Sequence, residues 1–210
     1  MSDALRETRQ TYDAITATYA QFTGDFEPTG LAAVEQLPAG SLIADIGCGP
    51  GRDILHLRRR GMRVVGFDLS LGQLRTGGLA GVAQADMRFL PIRSGALDAI
   101  WSQAALLHLP REFVPMVLGE FGRVVRPGGE LFLNVAEGDG EGWEVAANYE
   151  SDRRRWFTYH RAGPLTVLLA DAGFTVGSVE HRPTGRGWLS LHARRPPQIS
   201  SGSGPACTGR

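Results

Sequence analysis

The sequence predicts an α/β protein, one parallel sheet with helices on both of its faces. Three observations lead there. Short apolar runs alternate along the chain with stretches that carry apolar residues at helical spacing. A cluster of glycines closes the first apolar run and opens the next helix. The chain has 210 residues, 42% of them hydrophobic and 21% charged. That is ordinary composition for a single globular domain of about 100–200 residues.

The elements follow in order. Leu5, Thr8, Tyr12, Ile15 and Tyr19 share a helical face, so the spacing predicts a helix over residues 3–21. Pro28 opens a second helix, ending near Leu37 and Pro38. Residues 41–46 form a buried strand that stops at the glycines. A helix over 53–60 ends at Gly61, and 63–68 is the second strand. Ser70 and Gln73 fit a capping box for the next helix, which Gly77 and Gly78 keep short. Brief strands follow at 82–85 and 96–101, then a helix over 110–125 with Pro110 near its first turn. Pro127, Gly128 and Gly129 make a turn into a fifth strand, 130–135, and 138–142 reads as flexible. Residues 156–160 suit an edge strand with one or two side chains on a pocket. A helix opens at Gly163 and Pro164 and is capped by Gly173. Strands at 174–180 and 188–193 complete the set, the last paired with its predecessor or a neighbour. The tail from Arg195 is rich in Pro, Ser and Gly and is expected to be disordered.

Composition removes several classes of function. The 22 basic residues are all Arg and balance 22 acidic ones, so the formal charge is zero. A nucleic-acid partner is therefore not expected. With no Lys, Schiff-base chemistry and a P-loop are ruled out. Cys48 and Cys207 are too few for a four-cysteine zinc site and suggest no disulfide framework. No apolar run reaches membrane-span length, and residues 1–7 lack a signal-peptide core. A cytoplasmic location and no membrane partner are the expectation.

Ligands of a doubly wound sheet bind outside the carboxyl ends of its strands. After the first strand comes Asp45-Ile46-Gly47-Cys48-Gly49-Pro50-Gly51-Arg52. Alternate glycines allow a sharp turn and close approach of a ligand to the backbone. The helix that follows offers free N–H groups. Asp68 ends the second strand, 21 residues beyond Gly47, where an acid can accept both ribose hydroxyls. A dinucleotide fingerprint G-x-G-x-x-G would need glycine at position 52, which is Arg.

This G-x-G-x-G pattern after Asp45 resembles motif I of the class I S-adenosylmethionine-dependent methyltransferases. Asp68, the segment Gln84-Ala85-Asp86-Met87, the strand Asp98-Ala99-Ile100-Trp101-Ser102 and the turn Arg126-Pro127-Gly128-Gly129 are similar to the corresponding family segments. The resemblance covers about residues 10–194. It implies a Rossmann-like sheet of about seven strands, mostly parallel with the last antiparallel. It also implies a methyltransferase domain over 1–194 whose N-terminal helices, about 1–37, act as a lid.

By the same resemblance, S-adenosylmethionine is the cofactor. Asp45, Gly47, Gly49 and Gly51 form its loop, with Gly47 and Gly49 against the methionine part. Asp68 takes the ribose, Asp86 the adenine amino group, and the Met87 N–H lies near the ring. The carbonyls around Trp101 and Ser102 face the methionine amino group. Arg52 either pairs with the methionine carboxylate or is a solvated first-turn residue. Tyr12 and Tyr19 lie in a segment similar to a lid helix, and core packing is their alternative role.

The chemistry implied is in-line displacement at a sulfonium methyl, which needs alignment and exclusion of water more than a catalytic group. A base matters only for a protonated acceptor of high pKa. His108 is the first candidate for it, or else a structural histidine; His160 is second. His56 reads as structural. The run Arg153-Arg154-Arg155 reads as a solvated face. The short chain and zero net charge favour a small-molecule acceptor. A nicotinamide-dependent oxidoreductase and a non-catalytic cofactor-binding protein are the alternatives.

Overall fold

The computed structural model describes residues 2–24, 28–183 and 185–197. Seven strands form one sheet in the order β3-β2-β1-β4-β5-β9-β8. They are β1 (Leu42–Ile46), β2 (Arg63–Asp68), β3 (Val82–Gln84), β4 (Leu97–Gln103), β5 (Val125–Ala136), β8 (Thr175–Arg182) and β9 (Trp188–Arg194). Strands β1 to β5 pair in parallel, and β9 is antiparallel to both of its neighbours. The last strand therefore runs against the rest, as expected. The order reverses at β1, which lies between β2 and β4. The crevice beyond the carboxyl ends of β1 and β4 is the switch point where such sheets bind ligands.

The sheet separates two apolar layers, because side chains alternate along each strand. Ala44, Ile46 and Ile100 face one layer with Leu118, Phe121 and Leu131. Ile43 and Trp101 face the other with Ile54, Leu57 and Phe132. The helices are α1 (Asp3–Ala14), α2 (Thr16–Thr23), α3 (Leu31–Val34), α4 (Arg52–Arg59), α5 (Leu71–Gly77), α6 (Val114–Val124) and α7 (Ala162–Asp171).

Several elements differ from the sequence reading. The first helix breaks at Ile15, whose ψ of 18° ends α1 and lets α2 leave on a new axis. The helix expected from Pro28 is only the single turn α3. The helix expected from Pro110 starts as a 3₁₀ turn, Arg111–Phe113, before α6. Pro127 to Gly129 lie within β5. There the register shifts between Leu97–Val125 and Ala99–Glu130, so the turn is a bulge. Asp98 braces it, accepting from Arg126 Nε at 2.6 Å and from the Leu42 N–H at 2.7 Å. The capping box at Ser70 is half made. Ser70 Oγ accepts from the Gln73 N–H, while the Gln73 amide donates to the Tyr12 carbonyl instead of turning back.

The glycine-rich stretch after β5 leads into a missed strand, β6 (Glu141–Val145). It pairs antiparallel with β7 (Arg154–Thr158), setting Trp143 opposite Trp156. The expected edge strand thus forms a separate hairpin packed against α1, and none of the side chains of residues 156–160 lines a pocket, contrary to expectation. Of the tail, residues 195–197 carry no regular structure. The rest, including Cys207, lies outside the described residues.

Gly122 on α6 tests the packing of this layer. A Cβ there would sit 2.3 Å from the Ala172 carbonyl oxygen. Helix propensity alone would make Gly122→Ala stabilising by ~1 kcal/mol. Overpacking against backbone reverses the sign, and we expect a net loss of about 1–3 kcal/mol in urea unfolding. A gain in stability would show that α6 does not pack as closely as described.

Candidate active site

The loop after β1 turns through Gly47, Gly49 and Gly51, with φ of 78°, 54° and 87°. Each lies in the left-handed region that glycine enters without a Cβ penalty. The Gly47 and Cys48 N–H groups donate to the Phe67 carbonyl at 2.7 and 3.1 Å, which ties the loop to β2. One residue on, Asp68 completes the tie. Its Oδ2 accepts from the Gly49 N–H at 2.8 Å and its Oδ1 from the Ser70 N–H at 2.7 Å. Burial raises the Asp68 carboxyl pKa, and these two bonds oppose the rise.

A cleft opens over this loop. It holds about 810 Å³ of space, part of it open to solvent. Asp68 to Ser70 and Ala85 to Met87 line one end. Gly47, Gly49 and Gln103 to Ala105 line the floor, and Tyr19 of α2 stands over Gly49. Tyr12 and His108 line the cleft as well, and Leu5, Thr8 and Arg9 of α1 complete the wall. At Asp86 a bidentate pair with Arg88 lowers the carboxyl pKa against the effect of partial burial.

Beside the cleft lies a small polar pocket bounded by Tyr19, Asp45, Arg52 and Asp53. Arg52 Nε donates to Asp53 Oδ1 at 2.6 Å, and Trp101 Nε1 donates to Asp53 Oδ2 at 2.8 Å. Asp45 Oδ2 is buried with no partner. Burial drives the Asp45 carboxyl pKa well up, and the charges of Asp53 and Asp68 push the same way. Asp45 and Asp53 border this pocket with one guanidinium, and Asp68 adds its charge from the cleft, which favours a positively charged guest.

The residue types fix the direction of every bond around His108. The Trp156 carbonyl can only accept, so His108 Nδ1, 2.7 Å away, carries the proton. Nε2 is then the acceptor, and the Tyr12 hydroxyl donates to it at 2.7 Å. Arg155 Nη1 in turn donates to Tyr12 Oη at 2.9 Å. Burial, aided by the charge of Arg155, lowers the His108 pKa to about 3. Burial raises the Tyr12 pKa to about 12.

Comparison with known proteins joins this geometry to a family. Residues 44–133 match the family described as "Methyltransferase domain". The chain is 32% identical to a malonyl-[acyl-carrier protein] O-methyltransferase of Yersinia pestis, over 54% of this chain and 45% of that one. It is 26% identical to a tRNA (carboxymethyluridine(34)-5-O)-methyltransferase of Mus musculus, over 72% of this chain and 22% of that one. The chain thus spans less than half the length of these two curated relatives. In fold it matches a Burkholderia thailandensis 1,6-didemethyltoxoflavin-N1-methyltransferase solved with its substrate and S-adenosylhomocysteine. That match has a TM-score of 0.69 at 19% identity and covers 91% of this chain and 88% of that one. Over residues 44–133 the chain is therefore similar to methyltransferase domains.

S-adenosylmethionine, the cofactor that the sequence resemblance implies, fits what this site presents. It carries a ribose diol, an adenine, an ammonium and a sulfonium. Asp68, already anchored by two backbone bonds, keeps lone pairs for a diol. The unpartnered Asp45 oxygen and its acidic neighbours suit a cation. Of the residues singled out from sequence, Tyr19, Gly47, Gly49, Asp68, Asp86, Met87 and His108 line the cleft. Asp45 and Arg52 line the adjoining pocket.

Gly51, Trp101 and Ser102 line neither, which corrects three expectations. Gly51 packs on Leu79, where a Cβ would come within 2.3 Å. Trp101 is fully buried beneath the floor, and Ser102 Oγ donates to the Ile46 carbonyl. Strand β4 runs two residues further than expected, so Gln103 to Ala105 reach the cleft in their place.

Three further readings change. Both ring nitrogens of His108 are committed, so it has no lone pair left for a substrate proton. His160 is buried in a bridge to Glu137, does not line the cleft, and has its pKa lowered by burial to about 4. Arg155 is 5% exposed and not part of a solvated face. Tyr12 and Tyr19 do both things considered: they line the cleft and stack edge-on with each other against Ile15 and Tyr149. Among the described residues no cluster of His, Cys, Asp and Glu is built to hold a metal ion.

A lowered histidine pKa has a signed consequence. The unfolded chain binds the His108 proton more readily than the folded one. This contribution to stability is complete above about pH 7 and is lost as pH falls from about 6.5 toward 3. His160 acts in the same direction. We expect the thermal midpoint of the wild type to fall through that window, and His108→Gln to make the fall shallower. An unchanged slope in His108→Gln would show that His108 titrates normally in the folded protein.

Proposed function

We propose that the chain transfers the methyl group of S-adenosylmethionine to a small-molecule acceptor by in-line displacement. The observation that supports this best is continuity. One cleft runs from the Asp68 carboxylate, past the glycine loop, to Tyr12 and His108 under the α1–α2 roof. A roofed cleft admits a small molecule, and a chain of zero net charge offers a polyanion no general attraction.

The cofactor, when bound, supplies a methyl group already activated on a sulfonium. In this reading Asp68 holds the ribose and Asp86 the adenine amino group beside the Met87 N–H. Gly47 and Gly49 take the methionine part, Asp45 its ammonium and Arg52 its carboxylate. The domain spans residues 1–194, and its N-terminal helices within 1–37 form a lid. Tyr12 and Tyr19 hang from that lid and exclude water from the reacting end. His108, the histidine that lines the cleft, has both ring nitrogens engaged and is no free base, so this reading rests on alignment. Nothing among the described residues favours the oxidoreductase alternative. No described helix is long and apolar enough to cross a membrane; a cytoplasmic location is part of the proposal.

Calorimetry with S-adenosylhomocysteine tests the assignment. Replacing Asp68 by Ala removes charge-assisted hydrogen bonds worth ~1.5–3 kcal/mol each. Affinity should fall at least about tenfold. Unchanged affinity in folded Asp68→Ala would place the ribose elsewhere. Formation of S-adenosylhomocysteine across a library of hydroxyl, amine, thiol and carboxylate acceptors then tests turnover. Tight binding with no turnover of any small acceptor would favour a macromolecular one.

A further inference from the structure

We infer that Arg155 is the positioning residue of the acceptor end, fixing the Tyr12 hydroxyl so that it meets a bound molecule only as a hydrogen-bond acceptor. This selects a molecule that brings a hydroxyl or amine donor, and it rests on the proposed methyl-transfer reading.

Arg155 is an expensive residue in its place. It sits on β7, 5% exposed, and its Nε is buried without a partner. No carboxylate is among its described contacts. Nη1 donates to Tyr12 Oη at 2.9 Å and Nη2 to Asn148 Oδ1 at 3.0 Å. Its guanidinium lies 4.9 Å from the Tyr149 ring centroid and 5.0 Å from that of Phe157. Burying a charge this way costs free energy that a purely structural Met or Leu would not. The guanidinium is bonded to Tyr12 and to Asn148, and of these two partners Tyr12 lines the cleft.

The chain of bonds has donors and acceptors that cannot be exchanged. A guanidinium only donates, so it must take a lone pair of Tyr12 Oη. A carbonyl only accepts, so Trp156 holds the His108 proton on Nδ1. Between these two ends the Tyr12 proton has one destination, His108 Nε2. The hydroxyl then has no proton left for a ligand and one remaining lone pair. Tyr12 and His108 both line the cleft. A carboxylate placed there would meet a lone pair, whereas a hydroxyl or amine would find a partner.

The imidazole of His108 reports this arrangement without any known acceptor. The charged and titratable groups around it are Tyr12 from α1, Arg155 from β7, and Arg186 before β9, itself bonded to Glu144 of β6. Full-length protein with ¹⁵N-labelled histidine would be examined by NMR, with His108→Gln assigning the signal. In the wild type the neutral Nδ1–H tautomer is expected, with Nε2 shifted as a hydrogen-bond acceptor. Tyr12→Phe should move the Nε2 signal to that of a free lone pair. Arg155→Met should raise the His108 titration midpoint by about one unit, since a positive neighbour disfavours imidazolium. Arg155→Lys should bring the midpoint back.

In protein loaded with S-adenosylhomocysteine, phenol should shift the Nε2 signal at lower concentration than benzoate. An Nε2–H tautomer in the wild type overturns the inference whatever the variants do. So does an equal or reversed response to the two probes. An unmoved midpoint in folded Arg155→Met does the same. S-adenosylhomocysteine binding, measured on each protein by thermal shift, separates this from the broader reading. Loss of the wild type's binding would overturn the proposed function; retained binding with the wrong tautomer overturns only the role of Arg155.

Discussion

The site depends on one carboxylate with two backbone bonds. Asp68 ends β2, and its oxygens hold the N–H of Gly49 in the loop after β1 and the N–H of Ser70 at the start of α5. Neither the loop nor the helix start could keep its place by side-chain packing alone, because the loop has little side chain to pack. The carboxylate is half-buried, and these two bonds offset its desolvation. The same group therefore shapes the cradle and supplies its negative charge, and a ligand diol would meet a partner already fixed in direction.

The roof is bolted to this base through polar contacts. Asp13 Oδ1 accepts from Ser70 Oγ at 2.6 Å and from the Gly72 N–H at 2.8 Å, joining α1 to α5. On the other side of α1, Thr8 Oγ1 accepts from the Trp156 N–H, and Thr11 Oγ1 donates to the Arg154 carbonyl. The hairpin β6–β7 is thus held by α1, and α1 by α5. Hydrogen bonds of this kind contribute ~1 kcal/mol each and are directional, so the roof has a defined seat. The break at Ile15 gives α2 and Tyr19 their own axis over the loop.

The base and the helices of the roof were legible in the sequence, and the hairpin beside them was not. Strand, glycine loop, helix and acid follow one another within residues 42–68, and each carries a local cue that tertiary packing does not override. Buried parallel strands give a weaker one. β4 is apolar toward both faces, so its pattern does not say that Trp101 points under the sheet or that the strand continues to Gln103. β6 was hidden because its neighbourhood is rich in glycine, and its pairs with β7 lie nine to 17 residues apart in sequence. Arg155 was misread because it stands in a run of three arginines. Arg154 fits the solvated reading, pairing with Glu7 at the surface, while its neighbour points to the opposite face of the strand, as strand geometry demands. His108 was placed correctly on the cleft, but its role depends on partners 48 and 96 residues away.

The central claim is that the bridge at Asp68 is the nucleoside seat of the cofactor. A crystal structure of the protein with S-adenosylhomocysteine tests it most directly. The account expects the ribose hydroxyls within hydrogen-bond distance of Asp68, with the bonds from Gly49 and Ser70 retained. A nucleoside bound away from Asp68, or a loop that has released its carboxylate to bind it, would contradict the account.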